Sequence, residues 1–170
     1  MNTEKKIIAP IVLKDAKIVA TQKNFRGERK QFNDQGVRNF VVIIDPDKVD
    51  VPSLIEKGWN IKQGKPNPED PDYEPPYFLR VKVRYFPAED ERSRMNPRIT
   101  AVTRAGDLVI DEENVGDLDR DDIIKANMTI TGRWSESPTY TGITAYLRKM
   151  YVRIWEDDED DDLREGLFDD

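Results

Sequence analysis

Apolar and polar residues alternate most clearly over residues 76–86, PYFLRVKVRYF. Leu79, Val81, Val83 and Tyr85 fall on one side of this segment, and Arg80, Lys82 and Arg84 on the other. A period of two is that of a strand with one face in a core and one in water. Residues 11–21 (IVLKDAKIVAT) predict a first strand, and residues 37–45 (VRNFVVIID) a second that stops at Asp45-Pro46. Residues 50–58, DVPSLIEKG, predict one short helix, with Asp50 as cap, Pro52 in the first turn and Gly58 at the end. WNIK (59–62), ITAVT (99–103) and DLVID (107–111) are short strand candidates, the last two joined as a hairpin through Arg104-Ala105-Gly106-Asp107. IIKANMTITGRW (123–134) and ITAYLRKMYVRIW (143–155) are longer ones. On the last, Met150, Val152 and Ile154 share one face, while Lys149, Tyr151, Arg153 and Trp155 share the other.

Between these lie polar stretches. Residues 63–76 hold five prolines in fourteen residues and predict a loop, as do residues 87–98 and 135–142. EENVGDLDRDDI predicts a turn or one short helix. Five to eight short strands, one or two short helices and no regular helix-strand alternation make the fold all-β. A barrel or a small sandwich fits, and periodicity does not separate the two.

Charge divides the chain in two. Residues 156–170, EDDEDDDLREGLFDD, carry ten acids and one Arg, a net of −9 out of −7 for the whole. The other 155 residues hold 26 basic and 24 acidic side chains, a net of +2. So dense a block of like charge resists packing and predicts a disordered interaction arm following a folded domain over 1–155. The low overall isoelectric point therefore says little about the body, where Lys14 to Arg38 alone has a local net of +4.

The chain has no Cys and no His. Disulfides, thiolate metal sites and imidazole-based triads are thereby excluded. The opening MNTEKKIIAPIVL has only a short apolar run broken by Pro10, unlike a secretory leader, and no apolar stretch has the length of a membrane span. A soluble intracellular protein with no cofactor, no metal and no membrane partner is expected.

Binding a single strand without regard to sequence needs cations for phosphates and flat rings for bases. The body interleaves them. Asn24, Phe25, Arg26, Arg29, Lys30 and Phe32 crowd one Gly-punctuated segment. Trp59 sits beside Asn60 and Lys62, the central strand offers Arg80, Lys82 and Arg84, and the last strand Tyr146, Lys149, Tyr151, Arg153 and Trp155. Each has a plainer alternative. A cationic strand face is often only a solvated one, Trp59 can pack the helix on the sheet, and Tyr151 with Trp155 can brace a strand pair. Phe25 and Phe32 either stack on bases or fold back into a core.

The segments VLKDAKIV, NFRG, FNDQGVRNFVVIID, SLIEKGWNIK, FLRVKVRYF, VGDLDRDDI and GITAYLRKMYVRIW, with the acidic end, carry a resemblance along most of the chain. The sequence resembles the single-stranded-DNA-binding proteins of tailed phages, especially those infecting Gram-positive bacteria. The resemblance implies an OB-fold-like barrel with long inserted loops. It implies binding of single-stranded DNA in phage replication and recombination, in the cytoplasm of the infected bacterial host. It carries this role to Asn24, Phe25, Arg26, Gly58, Trp59, Asn60, Lys62, Tyr146, Lys149 and Tyr151. The tail is similar to acidic arms that recruit phage or host replication proteins such as polymerase and helicase/primase. Asp160, Asp161 and Asp162 would supply charge and Leu167 and Phe168 an apolar anchor, although Asp169 and Asp170 follow where such arms often end on Phe.

Three other functions compete. A metal-dependent nuclease would need Asp45, Asp47, Asp111, Glu112, Asp119, Asp121 or Asp122 to converge, yet most of them fall in turns, where Asp serves the backbone. A structural or packaging protein of a virion would show apolar self-association area. A DNA mimic would spread acid over its body rather than concentrate it in a tail.

Overall fold

A computed structural model of the protein describes residues 7–31 and 33–155. Eight strands and one helix follow in chain order: β1 (Ile11–Ala16), β2 (Arg38–Ile44), α1 (Val51–Lys57), β3 (Ile61–Gln63), β4 (Tyr77–Val83), β5 (Arg98–Thr103), β6 (Gly106–Ile110), β7 (Ile123–Glu136) and β8 (Thr141–Ile154). They form one sheet in the order β1-β7-β8-β4-β2, with β3 on β4, β5 on β8 and β6 on β5. All pairs are antiparallel except β4–β8 and β5–β8.

The expected OB-fold-like barrel is corrected here, because the strand ladders leave the sheet open, with β1 and β2 at its ends. Between those two ends the pairing is confined to isolated bridges. Asp15 takes a left-handed φ of 51°, and the β1–β7 register shifts between Leu13 and Ala16. The chain therefore leaves the ladder after Ala16. It meets β2 through an isolated bridge between Ile18 and Val42, flanked by Val19 N–H to Val41 O at 2.8 Å and Ile43 N–H to Lys17 O at 2.9 Å.

Where sequence signals were local, they hold. Asp50 accepts from the Ser53 N–H to cap α1, Pro52 occupies its first turn, and Gly58 ends it at φ 113°, where only Gly avoids a steric cost. On β4, Leu79, Val81 and Val83 are buried while Arg80 and Lys82 are exposed, as is Arg84 just past its end. β7 and β8 run longer than their apolar patterns suggest, to Glu136 and from Thr141, because pairing across the hairpin satisfies the backbone of the polar residues there. The core lies on the inner face, where Phe40, Val42, Leu79, Val81, Ile99, Ile130, Met150 and Val152 are each almost wholly buried. Gly132 sits in this interior because nothing larger fits. An added Cβ would meet Ile143 at 2.5 Å, Trp59 at 2.8 Å and Ile8 at 2.9 Å.

Candidate nucleic-acid interface

The outer face of β4, β5, β7 and β8 brings cations from several strands together. Paired residues in a ladder share a face, so register gives the neighbours. Lys82 on β4 lies beside Tyr146 on β8, which lies beside Thr131 on β7. A bulge on β8 follows, turning both Arg148 and Lys149 outward. The next row is Arg98, Lys149 and Thr129, then Thr100, Tyr151 and Asn127, then Val102, Arg153 and Lys125. Tyr151 is 41% exposed and stands between two cationic rows, with the Lys149 ammonium 5.3 Å from its ring centre. Trp155, 58% exposed, follows at the strand end, where its N–H is fixed on Asp122 O at 2.7 Å. Lys62 joins the same face through its pairing with Phe78, and Asn60 is exposed just before it.

Several of these cations are already engaged. Arg80 donates to Asn39 Oδ1 and, at 3.2 Å, to Gln22 Oε1. Arg84 lies 4.6 Å over the Phe86 ring, and Arg92 covers the same ring at 4.5 Å. Hydrogen bonds from Arg92 hold the Asp90 carboxyl down at about 2, so Arg92 is neutralised locally by an acid ionised across ordinary pH. Lys125 pairs with Asp15 at 3.2 Å. Lys82, Lys149 and Arg153 are exposed side chains that form no ion pair among the described residues.

The basic loop after β1 is placed differently. Phe25 is fully buried and stacked on Phe40, with centroids 5.2 Å apart and planes at 21°. The ring has folded back into the core, so the expectation of an exposed stacking platform there is corrected. Local composition predicts a loop here, but Asn39 on β2 pairs with Asn24 in both directions and draws the ring inward. Asn24 is buried too, and its amide closes the loop on Glu28 through bonds of 2.9 and 3.0 Å. Trp59 is likewise buried, bridged to Ile143, and packs α1 against the sheet, so it offers no face to a base. Arg26, Arg29 and Lys30 are exposed, with Arg26 held on Gly116 O at 3.3 Å and near Glu28 at 3.6 Å. The reading of Phe32 falls outside the described residues. So does that of Asp160, Asp161, Asp162, Leu167 and Phe168.

The acidic turn over Val115–Asp119 locks this loop in place. Asp119 accepts the Phe25 N–H at 2.7 Å and the Arg26 N–H at 3.1 Å. Lys23, buried and with its pKa lowered by desolvation, donates to the carbonyls of Leu118 and Asp121. The Asp119 carboxylate thus satisfies backbone, and among the described residues no three acids converge on a site able to hold a metal. Asp119→Ala strands two N–H groups and is expected to lower the unfolding free energy by about 1–3 kcal/mol. Urea denaturation reads the loss, which Asp119→Asn should partly restore.

The outer face includes residues that sequence reading missed. Arg98 opens β5 with Thr100 and Val102 at period two, whereas the apolar pattern predicts a strand only from Ile99 and a loop up to Arg98. Arg148 is turned outward only by the bulge. Its guanidinium donates to Arg94 O at 3.1 Å, bringing the 87–98 loop to the same face.

A family model described as "Putative phage ssDNA-binding domain" matches residues 1–165. The chain belongs to this phage single-stranded-DNA-binding family. The family is one of binding proteins, in line with the reading of the chain as a binder rather than an enzyme. A solved structure adds a likeness of fold for this family member. It is similar to the single-stranded DNA-binding protein from bacteriophage Enc34 in complex with ssDNA, at 12% identity and a TM-score of 0.54. The match covers 87% of this chain and 88% of that one. No curated protein matches the chain significantly. Among the described residues no helix is long and apolar enough to cross a membrane.

Proposed function

We propose that this phage protein coats single-stranded DNA without sequence preference during replication or recombination in the host cytoplasm, the strand lying across the outer face of β4, β5 and β8. One observation carries the reading: Tyr151 stands exposed between the Arg98–Lys149 and Val102–Arg153 rows. A flat ring between cations is what a base and its flanking phosphates require. Tyr146 beside Lys82, and Trp155 at the strand end, extend the path in both directions. Arg80, Arg84, Lys62, Asn60 and the loop cations Arg26, Arg29 and Lys30 line its margins. The Enc34 protein, similar in fold and solved with ssDNA, supports the choice of ligand.

Single strands should bind more tightly than duplex of equal length, because only unpaired bases expose a ring face to stack. Affinity should fall with salt at a log–log slope of about −0.7 per phosphate neutralised. Tryptophan fluorescence titration at several salt concentrations measures both. Equal affinity for single and double strands would overturn the proposal.

In the same proposal the tail, residues 156–170, competes for this face. It is attached at Trp155, beside Arg153, and its net charge is −9. Tethering gives it a high effective concentration there. When DNA displaces it, the arm becomes available to polymerase or helicase/primase, with Leu167 and Phe168 as anchor. Removing residues 156–170 should tighten binding to single strands, most at low salt, and abolish capture of those proteins. Unchanged DNA affinity and unchanged capture would reduce the tail to an aid to solubility.

A further inference from the structure

β6 lies at a sheet margin, pairing with β5 and with no other strand among the described residues. The two strands join through a two-residue turn, Arg104–Ala105, so Thr103 and Gly106 form the first bonded pair. Backbone groups alternate from there, which turns those of Asp107 and Val109 away from β5 toward the free edge. The Val109 carbonyl shows the direction, since it accepts from the Asn114 side-chain amide on that side at 3.5 Å, a contact at the outer limit of a hydrogen bond that a pairing strand would replace. Leu108 is 54% exposed on one face of the hairpin and Val109 74% exposed on the other. Natural edge strands are usually blunted by Lys, Pro or a bulge. Gly106–Ile110 reads GDLVI and pairs with β5 without a register shift, so it has no Lys, Pro or bulge, and Asp107 is its one charge.

We propose that β6 pairs antiparallel with β6 of a second copy of this chain, about a two-fold axis at Leu108. Asp107 then faces Val109 of the partner subunit in a bonded pair, twice over. Leu108 faces its own symmetry mate in the unbonded pair between them. Charge selects both occupant and direction. Arg104 precedes the strand, and Asp111, Glu112 and Glu113 follow it. Antiparallel self-pairing sets the basic turn of each copy beside the acidic end of the other, whereas parallel pairing sets like against like. Such an interface is isologous and closes at two copies. The row from Tyr151 through Thr100 to Val109 would continue into the second copy. Both cationic faces would then lie on one side of one sheet, running in opposite directions.

The absence of Cys makes the test direct. Leu108→Cys would place two thiols across a non-bonded pair, where Cβ atoms are about 4.5–5.5 Å apart, a small adjustment from disulfide geometry. Oxidation of the full-length variant without DNA should give a linked species of twice 19.8 kDa, several-fold more than Ile55→Cys, which is similarly exposed but on α1. Sedimentation equilibrium of the unmodified protein should show the mass rising toward two chains with concentration. Val109→Pro, which removes an edge N–H without touching the β5 ladder, should hold it at one chain. Leu108→Lys should do the same if the Pro variant fails to fold. A single-chain mass at every concentration, or no excess of linked Leu108→Cys over Ile55→Cys, overturns the proposal. These assays contain no DNA, so their failure leaves the strand-binding reading untouched, and weak strand binding leaves the dimer untouched.

Discussion

Phe25→Ala is expected to destabilise the fold by about 3–5 kcal/mol, the range for deleting a fully buried aromatic ring. The ring is stacked on Phe40 and held from both sides, since Asp119 accepts its N–H and Asn24 pairs with Asn39. The cavity cannot collapse easily when its walls are a sheet and a fixed turn. Domains of this size are stable by about 5–15 kcal/mol, so the variant would lose a large share of its margin. Urea denaturation followed by circular dichroism gives the loss. The fraction that remains folded should bind single strands as the unmodified protein does, because the ring presents no face to the outer surface. A folded variant with strongly weakened DNA binding and near-normal stability would return Phe25 to the interface.

Tyr151→Ala is expected to weaken single-strand binding by about 1–3 kcal/mol with stability nearly unchanged, the cost of one lost base–ring stack. Its ring is half-exposed, and its neighbours across the ladders are the small polar residues Thr100 and Asn127. Little core packing is therefore lost with it. Replacing Lys82, Lys149 and Arg153 together by Ala should act on the other half of the interaction. The log–log salt slope should shrink by about 2, roughly 0.7 for each phosphate contact removed. Loss of the stack should leave that slope unchanged. Fluorescence anisotropy with a labelled oligonucleotide over a salt series separates the two effects. Wild-type affinity and slope in all of these correctly folded variants would show that the β8 face is merely solvated.

Features that depend on near neighbours in the chain were legible in the residues alone. The alternation over Leu79–Arg84 placed three side chains inward and three outward, because successive strand residues point to opposite faces whatever the partner strand is. The cap, proline and glycine of α1 fixed its bounds for the same reason: each acts on backbone groups within one helical turn. The outward row Lys149, Tyr151 and Arg153 was equally legible, and the concentration of acid after Trp155 needed only counting.

Features that depend on which strands meet were not legible there. The parallel pairing of β5 with β8 brings Arg98 beside Lys149 across some fifty residues of chain, and no local pattern encodes that register. The bulge that turns Arg148 and Lys149 to one face exists only against β7. Phe25 had the composition of a binding loop around it. It became core because Asn24 found Asn39 on β2 and Asp119 closed over the turn, contacts whose gain in burial outweighs the local preference for solvent. The route of the chain after β1 follows in the same way. A left-handed residue at Asp15 redirects the chain after β1, and the backbone dihedral of one non-glycine residue is set by its surroundings, here the Asn127 side chain that accepts its N–H at 2.8 Å.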